Sequence, residues 1–200
     1  MRLEGKAPEP DLRPVRDGSL RINRTADNGI ASVFIYLTQA PRGTAAAVPP
    51  EPFILRTDTL AFSPRAGIAR VGQTLRVRND GRRPAGVSFF PKRNPVINHM
   101  LDAGRDAELD RFAMPERTPF EIRDHRHPWM RGALLVVDHP FATVTDESGA
   151  FEITDLPAGN YSFRVWHERA GFLDKELMVD IERSETTKRT LSYRFDRFEQ

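Results

Sequence analysis

Cysteine is absent from this chain of 200 residues. Disulfide bonds, thiolate nucleophiles and thiolate metal ligands are therefore excluded. The missing disulfides do not fix a cellular compartment, because oxidising compartments permit such bonds without requiring them. A chain of this length can still bury enough apolar surface, in one large or two small domains, to fold without cross-links.

Long apolar runs are also missing. None approaches the roughly 18 residues that a membrane-spanning helix needs, and the polar start of the chain has no signal-peptide pattern. The charge is nearly balanced, because the chain has 30 basic and 28 acidic residues and a net charge of +2. We therefore expect no membrane insertion and no nucleic-acid partner.

Familiar catalytic patterns are lacking as well. The sequence contains no Gly-x-Ser-x-Gly elbow and no glycine-rich phosphate loop. Carboxylates are plentiful between residues 102 and 110, but a charged run of this kind usually forms a solvated face. We therefore expect that the protein is not an enzyme.

The patterns that the chain does contain are those of β-strands. Its 16 prolines argue against a helix bundle. Residues 30–37 are rich in β-branched and aromatic side chains and follow the turn signal Asn28-Gly29. Residues 150–154 alternate apolar with polar side chains, and a turn separates them from a similar run at 161–166. Residues 175–181 and 190–195 read as closing strands, so an all-β class is expected.

Three segments lack this periodicity. Residues 1–18 are predicted to be an extended or disordered arm, and residues 39–52 a linker. Residues 90–118 read as a long loop that could hold a short helix at most, between residues 100 and 112. Long loops on a rigid β-scaffold often carry recognition.

A short motif between residues 124 and 130 reads Asp-His-Arg-His-Pro-Trp-Met. It resembles the metal loop of amicyanin-like and plastocyanin-like cupredoxins, which reads Cys-x-x-His-x-x-Met and leads into a final strand, here residues 132–137. His127 and Met130 match the histidine and the methionine, and Asp124 stands at the cysteine position. The best register for the first histidine of the family falls on Ala85. Similar opening strands at residues 60–64 and 71–80 extend the resemblance over residues 53–138.

The resemblance implies what this site can hold. A blue-copper ion takes a thiolate, two imidazoles and a weak thioether, and Ala85 and Asp124 supply neither the first imidazole nor the thiolate. We therefore predict no blue-copper centre and no cofactor. The function implied is a non-catalytic cell-envelope binding or scaffold protein.

A second stretch, residues 143–167, resembles the carboxypeptidase regulatory-like, or prealbumin-like, β-sandwich. Together the two pieces resemble bacterial envelope proteins of the methylamine-utilisation-like class, which implies a periplasmic or extracellular location. The expected fold is an all-β chain with a cupredoxin-like Greek-key β-sandwich joined to a carboxypeptidase regulatory-like β-sandwich. Since the 30–37 strand resembles part of the second sandwich, the cupredoxin-like piece is predicted to be inserted into it. The expected boundaries are 1–18 for the arm, 19–50 for early strands of the second sandwich, 51–138 for the cupredoxin-like domain and 139–200 for the rest.

The histidines leave a second function open. His125 and His127 are two residues apart and would point the same way on a strand. With Met130, and with Asp124 or His99 nearby, they could bind copper or zinc weakly and make this a metal-handling protein. The structural alternative has His127 packed under the loop and His125 facing solvent.

Two further sets of residues are candidates for contacts. Phe89, Phe90 and Trp129 are predicted as exposed contacts for a glycan or an envelope protein. His139, and the pair His167-Glu168, could line a cleft and transfer protons. The structural alternative is that these two imidazoles tie turns through hydrogen bonds.

Overall fold

The structure is a computed structural model that describes residues 2–4, 22–23, 28–44, 47–58, 60–183 and 185–198. Its elements there are seventeen strands and one 3-10 turn, so the predicted all-β class is confirmed. No helix of the described part is long and apolar enough to cross a membrane. The chain divides into a split unit, Met1–Thr44 with Phe141–Gln200, and a central unit, Ala45–Pro140.

The described residues of the central unit form nine strands in two sheets. In chain order they are β5 (Phe53–Thr57), β6 (Phe62–Ser63), β7 (Ala66–Arg70), β8 (Leu75–Asn79), β9 (Ala85–Phe89), β10 (Ile97–Leu101), β11 (Asp106–Leu109), β12 (Phe120–Arg123) and β13 (Arg131–Val137). One sheet has the order β10-β9-β12-β13-β7 and the other β11-β8-β5-β6. The pairs β13–β7 and β5–β8 are parallel, and the others are antiparallel.

Strand alternation places the core of the central unit between these two sheets. In β8, Leu75 and Val77 are buried while Arg76 and Arg78 point outward. The buried cluster draws on both sheets and includes Phe89, with the Phe89 and Phe112 ring centroids 6.1 Å apart in an edge-to-face contact. Such aromatic pairs add stability beyond the area that they bury.

One prediction about the central unit needs correction. The 90–118 segment is not one long loop, because β10 and β11 lie within it. A buried carboxylate, Glu116, holds the irregular parts by accepting hydrogen bonds from the amides of Lys92 and Arg93, at 3.2 and 2.8 Å.

The split unit is also built from two sheets. Its strands are β1 (Arg2–Glu4), β2 (Ile22–Asn23), β3 (Gly29–Ile30), β4 (Val33–Leu37), β14 (Ala142–Val144), β15 (Gly159–His167), β16 (Gly171–Ile181) and β17 (Ser192–Arg194). The sheet orders are β14-β4-β15-β16 and β17-β1-β3-β2. β4 pairs with β15, with Ile35 opposite Val165. The pairing that the predicted insertion requires is therefore present.

Two predictions fall on the edges of this unit. Residues 150–154, predicted as a strand, are assigned to no strand, although Phe151 and Ile153 are turned toward the core and Glu152 and Thr154 toward solvent. The alternation therefore indicates one face turned toward the core, although in the described part of the unit the segment joins no sheet. Of the predicted arm 1–18, residues 2–4 form β1, and the rest lies outside the described residues.

Candidate functional site

The 124–130 loop joins β12 to β13, the two strands that pair at Arg123 and Arg131. Main-chain hydrogen bonds close it, from the Asp124 amide to the Met130 carbonyl at 3.2 Å and from the Met130 amide to the His127 carbonyl at 2.8 Å. The Met130 side chain is buried in the core of the central unit. The loop is thus tied at its base and anchored by the thioether.

A buried carboxylate, that of Asp124, organises the loop from within. Its Oδ1 accepts hydrogen bonds from the amides of Arg126 at 2.7 Å and His127 at 3.2 Å. Its Oδ2 accepts from the Gly86 amide at 3.3 Å and from Nδ1 of the His127 ring at 3.1 Å. Because an ionised carboxylate only accepts, His127 Nδ1 carries the hydrogen in this contact. The side chain of Asp124 is fully buried, so these four donors replace the water that it has lost.

The Gly86 amide connects this carboxylate to β9, where Ala85 is fully buried. Gly86 also marks a crowded point. A Cβ built on it would lie 2.9 Å from Met100 Sδ, 3.7 Å from Asp124 Oδ1 and 3.9 Å from His125 Cδ2. A thioether, a carboxylate and an imidazole therefore surround the space above Gly86, and an added Cβ would be too close to the Met100 sulfur alone.

The two histidines of the loop have different partners. His125 Nε2 contacts Ser88 Oγ and lies 3.3 Å from Asn98 Oδ1, whereas His127 is bonded to Asp124. The His125 ring stands edge-to-face on Phe90, with centroids 6.5 Å apart. Among the described residues, no group of three or more histidine, aspartate and glutamate side chains is placed so that it could hold a metal ion.

The neighbours of His125 were not predicted from the sequence. Ser88 and Met100 lie on β9 and β10, which pair with Met100 opposite Gly86. Because the register of a hairpin fixes which side chains are neighbours, only the β9–β10 pairing could have placed Met100 beside the loop. The prediction of a long loop at 90–118 concealed that pairing.

The three predicted aromatic contacts lie in three different environments. Phe89 is fully buried, so its prediction as an exposed contact is wrong: β9 alternates, and Phe89 is on the core face with Val87. Phe90 is half-buried, and the Arg123 guanidinium lies over its ring at 5.5 Å. The hydrogen bond from Arg123 to the Glu121 carboxylate raises the pKa of the guanidinium. Trp129 is half exposed, with its ring 5.2 Å from that of His127.

The remaining histidine candidates are buried within their own units. His139 is buried in the central unit. In the split unit, His167 is fully buried, its ring stands 5.1 Å from that of Phe198, and its Nδ1 accepts a hydrogen bond from the Arg169 amide at 3.2 Å. For His167 the contacts are those of a residue that packs a core and ties a turn.

Comparisons with known proteins give a likeness in structure alone. No protein-family model matches the sequence, and no curated protein does. A copper-containing nitrite reductase from Thermus scotoductus SA-01 is similar at 19% identity and a TM-score of 0.39, over 49% of this chain and 25% of the reductase chain. A reduced mutant of amicyanin is similar at 19% identity and 0.36, over 51% of this chain and 97% of amicyanin. A purple cupredoxin from Nitrosopumilus maritimus is similar at 22% identity and 0.34, over 42% of this chain and 97% of that protein. The chain thus spans a quarter of the reductase.

Proposed function

We propose that the central unit is a cupredoxin-like domain without a blue-copper ion, and that the protein is a non-catalytic binding or scaffold protein of the cell envelope, periplasmic or extracellular. The strand order of its two sheets and the 124–130 loop between β12 and β13 support the cupredoxin-like part. One observation supports the absence of a blue-copper ion. At the position where the family's cysteine stands, the Asp124 carboxylate is buried and accepts four hydrogen bonds from the protein itself.

The donors at the former ligand positions do not fit a blue-copper ion. Such an ion takes a thiolate and two imidazoles in one plane with a weak axial ligand. Ala85 offers a methyl group, the chain has no thiol, and the Nδ1 of His127 is bonded to Asp124. In our proposal, hydrogen bonds to Asp124 hold the loop in place of bonds to a metal.

The loop held in this way presents Trp129 to solvent. A half-exposed tryptophan on a fixed loop is the kind of side chain that is enriched in binding sites. We propose an envelope protein or a glycan as the partner, with Trp129 as a direct contact and Phe90 beside the loop as a secondary one.

A metal-handling function is the second candidate, and the crowding above Gly86 favours it. The Met100 thioether, the Asp124 carboxylate and the His125 imidazole all approach the same point, and these donor types bind copper or zinc in other proteins. This candidate would use His127, Met130 and His125, joined by Met100. It requires His125 to leave Ser88 and Asn98.

Calorimetric titration of the full chain with copper(II) and with zinc(II) separates the two candidates. The binding-module proposal predicts heats no larger than those of dilution and no visible absorption from the copper-loaded sample. Tight one-to-one binding that is lost in His127→Ala or His125→Ala would refute it. His99→Ala, on β10 of the same unit, tests the further ligand that the sequence suggested, because it should weaken binding only if His99 also holds the ion.

A further inference from the structure

The 124–130 loop lies at one end of the five-stranded sheet of the central unit, over interior strands. In the order β10-β9-β12-β13-β7, the strands β9, β12 and β13 each have a partner on both sides. A peptide that binds by strand addition needs a free sheet edge, and the strands that the loop joins offer none. A partner of this loop must therefore be held by side chains.

A second loop, residues 80–84 between β8 and β9, lies at the same end of the unit. The Gly86 amide, at the start of β9, donates a hydrogen bond to Asp124 Oδ2 at 3.3 Å. The side-chain amide of Asn79, the last residue of β8, donates to the Arg83 carbonyl at 2.8 Å. The two loops are therefore neighbours, and each is tied to the strands from which it leaves.

These two loops carry arginines that have no acidic partner. Arg82, Arg83 and Arg126 are all exposed. In the part of the chain that the structure describes, none of these three forms an ion pair with a carboxylate, whereas Arg123 is paired with Glu121. Three positive charges are thus available to a ligand at this end.

The carboxylates near the loops do not cancel this charge. Asp124 is fully buried and bonded within its own loop. Asp80 is held by Arg56 and Arg78, at 3.1 and 2.6 Å. Asp102, which follows β10, is exposed and offsets one of the three charges at most. The residues of the central unit outside the described ranges are alanines and a threonine, which carry no charge.

Trp129 adds a flat apolar surface beside these charges. Its side chain is 50% exposed, and its ring stands edge-to-face on that of His127, with centroids 5.2 Å apart. The His127 ring is held in turn by the Asp124 carboxylate at 3.1 Å from Nδ1. Because these contacts restrict the indole ring before a ligand arrives, packing the C–H face of a sugar ring against it costs little entropy.

We propose that this end of the central unit binds a glycan whose sugar rings carry carboxylate groups. A sugar ring packs on Trp129, and carboxylates of that ring or of the next accept hydrogen bonds from the guanidinium groups of Arg126 and of Arg82 or Arg83. The tryptophan by itself suits a neutral glycan, whereas the unpaired arginines favour an anionic one. The inference rests on the proposed function and narrows its partner to an acidic glycan.

Calorimetric titration of the full chain with alginate oligosaccharides, in which every sugar carries a carboxylate, tests this proposal. We expect binding at low salt that weakens as sodium chloride is added, because exposed charges are screened. Neutral dextran oligosaccharides of the same length should bind about tenfold more weakly or not at all. These comparisons use the unaltered chain, so they do not depend on the stability of any variant.

Substitutions then test the two kinds of contact. Trp129→Ala should raise the dissociation constant for alginate about tenfold. Arg126→Gln should raise it about two- to fivefold, and the double variant Arg82→Gln with Arg83→Gln by at least as much. Lys92→Gln is the matched control, because Lys92 is exposed and lies beyond the opposite end of β9. It should leave binding unchanged.

Several results would overturn the proposal. They are an absence of alginate binding, dextran that binds as tightly, and a Lys92→Gln variant that loses as much affinity as Arg126→Gln, which indicates unspecific attraction of a polyanion. Poly-glutamate that binds through Trp129 and Arg126 as tightly as alginate would also overturn the glycan, but it would leave the proposed binding function in place with an acidic protein as partner. The proposed function fails separately, by tight binding in the copper and zinc titrations.

Discussion

The two units of this chain differ in how fully hydrogen-bonded strands cover their apolar cores. In the central unit, hydrogen-bonded strands form both layers around a closed apolar core. In the split unit, β4, β15 and β16 form one layer, and among the described residues the segment 150–154, which packs against the same core, belongs to no strand. The difference separates two requirements of a β-sandwich, because Phe151 and Ile153 pack against the core without belonging to a strand in the described structure.

The largest expected effect is a difference in the free energy of unfolding lost when one leucine is shortened in each unit. Leu134→Ala should lower the free energy of unfolding of the central unit by about 2–5 kcal/mol, because Leu134 is fully buried between the layers. Leu177→Ala, at a half-buried position on β16, should lower the free energy of unfolding of the split unit by roughly 1 kcal/mol. The only two tryptophans, Trp129 and Trp166, lie one in each unit. Denaturant unfolding of single-tryptophan variants therefore reports each unit, and equal losses would remove the contrast.

A smaller effect is expected at the loop of the central unit. Asp124→Ala should lower the stability of that unit by about 2–3 kcal/mol, because it leaves the amides of Gly86, Arg126 and His127 without their acceptor. Asp124→Asn keeps one acceptor oxygen and should therefore lower the stability of the unit by less. Thermal unfolding followed by fluorescence of Trp129 measures the loss. If the alanine variant were as stable as the parent, Asp124 would not organise the loop.

Acid should lower the free energy of unfolding of both units, through one aspartate turn in each. Each turn should contribute less than about 1 kcal/mol, because its carboxylate is exposed. Amide hydrogen bonds from Ala61 and Leu60 hold the pKa of Asp58 below its usual value in the central unit. The Ser148 hydroxyl and the Ala150 amide do the same for Asp146 in the split unit. A lowered folded-state pKa contributes stability that is present above the unfolded value, near 3.8, and is lost as the pH falls through the folded value.

The matched variants separate these two contributions. Asp58→Asn should flatten the decline below about pH 4 in the central unit only, and Asp146→Asn in the split unit only. Urea midpoints measured from pH 6 to pH 2 for single-tryptophan variants provide the readout. A decline that neither substitution changes would assign the acid sensitivity to other groups.

Much of the architecture could be predicted from local pattern. The strand predicted at residues 30–37 is present in part as β4 (Val33–Leu37), whereas Ile30 ends β3 of the other sheet after which the chain bends at residues 31–32. The 124–130 loop was predicted to lead into the strand that is now β13. The local sequence pattern did not predict the structure correctly where strand pairing determines it. At residues 150–154, alternation correctly indicated one face turned toward the core but could not indicate that the segment joins no sheet among the described residues.

The site was predictable only in part for the same reason. Phe89 and Phe90 are adjacent, and alternation sends one inward and one outward without saying which, so the wrong ring was included among the contacts. Met100 and Ser88 reach the loop through the β9–β10 register. Such neighbours depend on long-range pairing, which a single sequence does not reveal.

The proposed cupredoxin-like interpretation of the 124–130 loop is tested most directly by introducing the two copper ligands of that family that the chain lacks. Ala85→His with Asp124→Cys would supply the missing imidazole and the only thiol in the chain. We expect intense visible absorption from this double variant loaded with copper(II), and none from the parent chain or from either single variant. A colourless double variant with its β-sheet circular dichroism intact would contradict the cupredoxin-like register on which the proposed function rests.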